Sequence, residues 1–250
     1  MRKIYPTLIA VSVLATQPLF AAENWTELFN GKDLTGWTQK TGNATYSVED
    51  GCIVGTMHTP GSGTNSFLFT TKNYDNFILE MDCKVDPRVN SGLQIRSAYA
   101  DKKESFQEKG KTYTVRPGYV YGYQVEIDTD LKGKTFTGGI YDEQRRGVYI
   151  DPDDGPNGPH GKAFTELNRK ITKPDDWNHL RVVAIGYHIK TYLNGVLRAD
   201  LHDSMSASGF FGLQVHSSKE ESANGAQVRF KNIRVMAASP ADDLPEPSAK

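Results

Sequence analysis

Three segments of this chain repeat one arrangement: a glycine, a glutamine two positions on, and an ionisable residue two beyond that. They are Gly92-Leu93-Gln94-Ile95-Arg96, Gly122-Tyr123-Gln124-Val125-Glu126-Ile127-Asp128 and Gly212-Leu213-Gln214-Val215-His216. A carboxylate or imidazole such as Glu126 or His216 can take up and return a proton, and a guanidinium such as Arg96 can hold a developing oxyanion. A primary amide donates and accepts together, so Gln94, Gln124 and Gln214 suit the reading of sugar hydroxyls. The pattern therefore predicts acid/base chemistry on a polyhydroxylated ligand.

Side chains of this kind act together only if something places them on one surface. Side chains alternate across a β-strand, so Leu93, Ile95, Tyr123, Val125, Ile127, Leu213 and Val215 should enter a core while the amides and ionisable groups point the other way. A glycine inside a strand costs about 0.5–1 kcal/mol relative to alanine, so its recurrence predicts that something approaches the backbone closely. An ordinary solvated sheet face usually carries Lys, Glu and Thr; Gln, Arg, Glu, Asp and His beside glycines point instead to a concave ligand face.

The rest of the chain supplies the sheets. Apolar and polar residues alternate through Phe77–Val85, Ser91–Ser97, Tyr119–Asp128, Leu180–Ile185, His188–Leu193, Val196–Leu201, Phe210–His216 and Val228–Val235, which predicts an antiparallel, all-β protein. Asn194-Gly195 between two such runs is a two-residue hairpin signal. No long segment shows helical spacing. Asp151–Lys162, with Pro152, Pro156 and Pro159 among glycines and acids, reads as a long loop, and Asp101–Lys111 as a second, charged one. His160 and Lys162 lie where such a loop could close over a ligand. Trp25, Trp37 and Trp177 read as core or end-sealing aromatics.

At the N-terminus, Arg2 and Lys3 precede an apolar run from Leu8 to Phe20 and the pair Ala21-Ala22, the layout of a signal peptide over residues 1–22 and hence of an exported, periplasmic protein. The expected organisation is one domain over 23–236 and a disordered tail over 237–250, rich in Pro, Ala, Ser and acids. No later apolar stretch is long enough to span a membrane. The formal net charge is −1 with both signs interspersed, which gives no reason to expect nucleic acid as a partner. Cys52 and Cys83, the two cysteines, permit one bridge in an oxidising compartment or two separately buried thiols.

Several short motifs occur together in a fixed order. Trp25-Thr26-Glu27-Leu28-Phe29-Asn30-Gly31-Lys32-Asp33-Leu34-Thr35-Gly36-Trp37, Asn90-Ser91-Gly92, Gly122-Tyr123-Gln124-Val125-Glu126-Ile127, Gly138-Gly139-Ile140-Tyr141-Asp142, Trp177-Asn178, Leu193-Asn194-Gly195 and Gly212-Leu213-Gln214-Val215-His216 resemble the 3-keto-disaccharide hydrolase family. The resemblance runs from about Trp25 to Val235. It implies a concanavalin-like jelly-roll sandwich of two antiparallel sheets and an activity on glycosides already oxidised at C3.

A ketone at C3 acidifies the hydrogen on C2. A base removes it to give an enediolate, which expels the C1 substituent, and water adds to complete a net hydrolysis. The expected roles are Glu126 and His216 as base or acid, Arg96 as oxyanion clamp, Gln94, Gln124, Gln214, Tyr141 and Asp142 as substrate contacts, and Asp128 as an orienting or metal-binding carboxylate whose crowding with Glu126 raises the pKa of one of the two. Arg96 could also simply neutralise Glu126, and Tyr141 and Asp142 could form a turn. No cofactor is required by the sequence, although Asp128, Asp130, Asp151, Asp153 and Asp154 offer oxygen ligands suited to Ca²⁺. Two other classes compete. Glu126-Ile127-Asp128-Thr129-Asp130 is similar to the catalytic strand of β-glucanases, except that Asp130 stands where those enzymes carry Glu, and a carbohydrate-binding module would need no catalytic group at all.

Overall fold

The computed structural model describes residues 24–128 and 131–239. The predicted signal peptide, Asp130 and most of the expected tail lie outside the described residues. In chain order the strands begin with β1 (Thr26–Glu27), β2 (Trp37–Thr41), β3 (Thr45–Glu49), β4 (Cys52–Thr56), β5 (Ser66–Thr70) and β6 (Phe77–Val85). They continue with β7 (Ser91–Tyr99), β8 (Glu104–Glu108), β9 (Lys111–Val115), β10 (Val120–Ile127), β11 (Ile140–Glu143) and β12 (Tyr149–Asp151). Helix α1 (Pro159–Ile171) leads to β13 (Asn178–Ile185), β14 (His188–Leu193), β15 (Val196–His202), β16 (Phe210–Val215) and β17 (Gln227–Ala237).

Two antiparallel sheets pack face to face as a jelly-roll sandwich. One has the order β15-β14-β13-β6-β17-β4-β3 with β1 added beside β17, and the other the order β12-β11-β10-β7-β16-β5-β2. The three strands that carry the repeated glycine–glutamine pattern are therefore neighbours in the middle of the second sheet. Their apolar residues Leu93, Ile95, Tyr123, Val125, Ile127, Leu213 and Val215 all enter the core between the sheets, where they join Phe77, Leu79, Met81, Leu180, Val182 and Phe230 of the first. Truncating one of these side chains opens a cavity. Leu213→Ala is expected to cost about 2–5 kcal/mol with turnover per folded molecule intact, readable by denaturant titration beside an activity assay.

Arg96 does not follow the alternation. Between Ile95 and Ala98, β7 holds one residue more than β10 does between Tyr123 and Tyr121, and Arg96 takes up the excess with φ of 46°. This bulge turns the side chain away from the polar face, through the sandwich, to the rim of the opposite sheet. Its guanidinium donates to the carbonyls of Asp75 (2.8 Å) and Gly186 (2.6 Å) and lies over the Phe77 ring. The expected oxyanion clamp is thus a buried strut between sheets. Arg96→Ala should lower stability by about 3 kcal/mol, the scale of hydrogen bonds to a charged group, without changing turnover of the folded fraction; a variant that melts normally but is inactive would return Arg96 to the chemistry.

Three further expectations are corrected. Asp151–Lys162 is a loop only in its first half, because α1 begins at Pro159. The Asp154 carboxylate accepts from the backbone N–H groups of His160 and Gly161 and so satisfies two helix-start donors. A Cβ on Gly161 would lie 2.0 Å from the Gly155 carbonyl, so this glycine serves close packing. The helix escaped the periodicity because its buried side is Gly161, Phe164, Thr165 and Asn168, with one large apolar residue. The charged segment Asp101–Lys111 holds β8 and the turn into β9, a separate two-stranded hairpin. Ala237, expected in the tail, is the last residue of β17 and pairs with Phe77.

The hairpin at Asn194-Gly195 is present, with positive φ at both residues. Cys52 and Cys83 are buried free thiols. They sit on β4 and β6, which are separated by β17, so two strand spacings of about 4.8 Å each keep their backbones farther apart than a disulfide spans. Trp37 is buried, its indole N–H donating to the Leu28 carbonyl. Trp25 and Trp177 lie half-buried beneath Arg234 and Lys231. Among the described residues no helix is long and apolar enough to cross a membrane.

Candidate active site

The outer face of the second sheet carries a cleft of about 720 Å³ at the ends of β7, β10 and β16. Gln124 and Glu126 form its floor, Tyr141, Glu143 and Tyr149 one wall, Asn90 and Asn65 the opposite lip, and His216 with Lys219 part of the mouth. This volume falls in the range that encloses small ligands.

The floor is held by a chain of amides. Ser97 donates to Gln94 Oε1 (2.7 Å), and Gln94 and Gln214 both donate to Gln124 Oε1 at 2.8 and 2.7 Å. Gln124 in turn donates to Glu126 Oε2 (3.0 Å), and Asn90 donates to Glu126 Oε1 (2.5 Å). The glycines make this possible. A Cβ on Gly92 would lie 2.6 Å from Gln124 Cδ, one on Gly122 would lie 2.6 Å from Ser97 Oγ, and one on Gly212 would lie 3.2 Å from Gln94 Cβ. What approaches the backbone closely is therefore the amide chain itself. Gly92→Ala should push the Gln124 amide off Glu126 and reduce turnover about tenfold or more, on the scale of misplacing a positioned group. An unchanged rate in that variant would show the chain to be irrelevant to the chemistry.

Two carboxylic acids line the cleft, and both are buried. Burial raises the pKa of Glu126, opposed by the hydrogen bonds from Asn90 and Gln124, which favour its charged form. Glu143 is pushed up to about 7, first by burial and also by the charges of Glu126 and Asp142. Its partners are long contacts, Asn65 at 3.4 Å and Gln144 at 3.3 Å, and they compensate little. Because its folded value lies above the ordinary 4.5, the folded state binds the proton more tightly, so stability falls as pH rises from about 4.5 to about 7. Glu143→Gln removes that penalty. Its melting temperature relative to the natural protein is expected to rise between pH 4.5 and pH 8, and a constant difference would show that Glu143 titrates normally.

The remaining predicted residues divide. Gln124, Glu126, Tyr141 and His216 line the cleft. His216 is exposed on its outer edge, donates through its backbone N–H to the Asn90 carbonyl, and is crowded enough that desolvation lowers its pKa. Gln94 and Gln214 are fully buried beneath Gln124 and do not line it, so they support the floor rather than read hydroxyls. Asp142 faces the opposite side of β11, at the same register as the core residue Tyr123. There it pairs with Arg145 (2.9 Å) and Arg146 (3.2 Å), with no exposed side-chain surface. Asp128 stands at the end of β10, where its backbone bonds to Thr135 and Thr137, and does not line the cleft. Glu126 is raised by burial rather than by the charge of Asp128, and the carboxylates that load Glu143 are Glu126 and Asp142.

Glu143, Asn90, Asn65, Tyr149 and Lys219 are cleft residues the sequence reading missed. Glu143 had a signal: it lies two residues after Tyr141, so strand alternation puts those two on one face and Asp142 on the other. Asn65 and Lys219 come from loops, which no periodicity places. Among the described residues, the one group of three metal-capable side chains with ligand atoms within 4.8 Å is Asp153, Asp154 and His160. It is exposed, and Asp154 is already occupied in starting α1.

The geometry defines a β-sandwich of the concanavalin-like type whose second sheet carries a polar, two-carboxylate cleft on its outer face. The chain belongs to the family described as the 3-keto-alpha-glucoside-1,2-lyase-like domain, which matches residues 24–236. Among solved structures, a Parabacteroides distasonis protein described provisionally as a glycosyl hydrolase shares the fold at 22% identity and a TM-score of 0.53, with 87% of this chain and 95% of that one covered. A carbohydrate binding module from Bacillus subtilis aligns at 19% identity and a TM-score of 0.48, over 81% of this chain and 96% of the module. No curated protein matches the sequence.

Proposed function

We propose that this protein cleaves glycosides already oxidised to the 3-ketone, by removal of the C2 proton and loss of the C1 substituent. The reading is carried by one observation: two buried carboxylic acids, one closely hydrogen-bonded by amides and the other only by long contacts, share a polar cleft in a chain of the 3-keto-alpha-glucoside-1,2-lyase-like family. Glu126, held by two amide donors that favour its anion, takes the C2 proton. The electron pair left on C2 moves into the C1–C2 bond as the C1–O bond breaks, with negative charge shared by the C3 oxygen on the way. Glu143, whose pKa near 7 leaves a protonated fraction at neutral pH, gives its proton to the departing oxygen. Addition of water across the new double bond then yields the free 3-keto sugar.

The cation role expected of Arg96 passes to Lys219, the one Lys or Arg side chain among the described cleft residues. Tyr141 and Asn65 add donors for the sugar's hydroxyls. Export through the predicted signal peptide belongs to the same reading, since oligosaccharides are met outside the cytoplasm.

The test is incubation with paired C3-oxidised and unoxidised disaccharides in heavy water, with and without a chelator. The oxidised sugar should be cleaved with deuterium incorporated at C2, and the unoxidised one left intact, because without the ketone its C2 hydrogen is beyond any side-chain base. Equal cleavage of both would favour a direct glycosidase, and a chelator-sensitive rate would add a metal to the site.

A further inference from the structure

We infer that the same sheet face holds a second, non-catalytic sugar subsite, at the far end of β5, β7 and β16 from the cleft, which grips the distal units of a gluco-oligosaccharide. This rests on the cleft being the sugar site. The outer face of the sheet is not polar throughout: Phe67, Phe69, Val120 and Phe210 form an apolar cluster separate from the main core, with Tyr99 packed on it. Phe69 and Phe210 stack with ring centroids 4.4 Å apart. Bordering them is a depression of about 430 Å³ whose rim brings the exposed side chains of Lys40, Asn73 and Asp101 around Tyr99, with Lys40 Nζ 4.8 Å over that ring.

A ring edge or face flanked by an amide, a carboxylate and an ammonium matches a pyranose, which offers apolar C–H patches bordered by hydroxyls. The two depressions are joined by continuous strands. From Phe210, at the subsite, to His216, at the mouth of the cleft, β16 advances about 20 Å. That span is longer than a disaccharide reaches, so the arrangement selects a chain with several sugar units, the terminal one in the cleft and the others along the sheet.

The probes are maltose and maltopentaose, unoxidised and titrated by calorimetry into the full chain; α-linked glucose follows from the family's α-glucoside description. The pentasaccharide is expected to bind at least about tenfold tighter than the disaccharide. The double variant Asn73→Ala with Asp101→Ala, both exposed positions outside the catalytic group, should abolish that gain and leave maltose affinity unchanged. Equal affinity for the two sugars, binding of neither, or a gain that survives the double variant would each overturn the subsite. Turnover of a 3-keto-disaccharide, measured in parallel, reports on the cleft alone, so failure of the catalytic reading is seen separately.

Discussion

Glu126→Gln is expected to reduce turnover of a 3-keto-disaccharide by about 10²–10⁴, the usual contribution of a general base, with little change in KM. The substitution keeps the size of the side chain but removes the only atom pair able to take the C2 proton from the floor of the cleft. It also replaces one acceptor oxygen with a donor, so either Asn90 or Gln124 must turn away from it. Stability should not suffer, because a buried carboxylate whose burial raises its pKa loses an unfavourable charge when it becomes an amide. Single-turnover rates and melting temperatures together decide the matter. A variant within tenfold of the natural rate would remove Glu126 from the role of base and make Glu143 the candidate.

The second large effect falls on stability. Asp142→Asn is expected to cost about 3–5 kcal/mol, the penalty for leaving a buried charge without its partner, which for a chain of this size is a fall in melting temperature of about 10 °C or more. Arg145 has no exposed side-chain surface and also donates to Ser206 and the Met205 carbonyl. Arg146 reaches from Asp142 to Glu108 on the β8–β9 hairpin and to Asp203 beyond β15. Asp142 is thus the centre of a charge network that ties three segments behind the strand bearing Tyr141 and Glu143. A variant with an unchanged melting temperature and a raised KM would mean that Asp142 touches substrate after all.

The outcome for Asp142 shows where local sequence stops being informative. Alternation told which residues of β7, β10 and β16 enter the core, because a two-residue period leaves no choice once one face is buried. The Asn194-Gly195 turn was equally local, since its backbone conformation depends on two residues. The family motifs extended the same reading to the sandwich as a whole.

Contacts between distant segments were decided only by the tertiary structure. Arg96 left the polar face because β7 contains one residue more than its neighbours need, and a bulge is a property of a pairing rather than of a strand. The glycines proved to make room for Gln124, Ser97 and Gln94, partners that come together only across strands. Helix α1 is invisible to periodicity because it packs through small and polar residues. Glu143 gains its high pKa from burial and from Glu126, which lies on another strand. The sequence alone therefore determined the sheet architecture and, through its motifs, the family; which carboxylates share the cleft was decided by the pairing of β10 with β11 and by loops whose positions no repeating pattern encodes, because a pKa depends on what surrounds a group in space rather than on what precedes it in the chain.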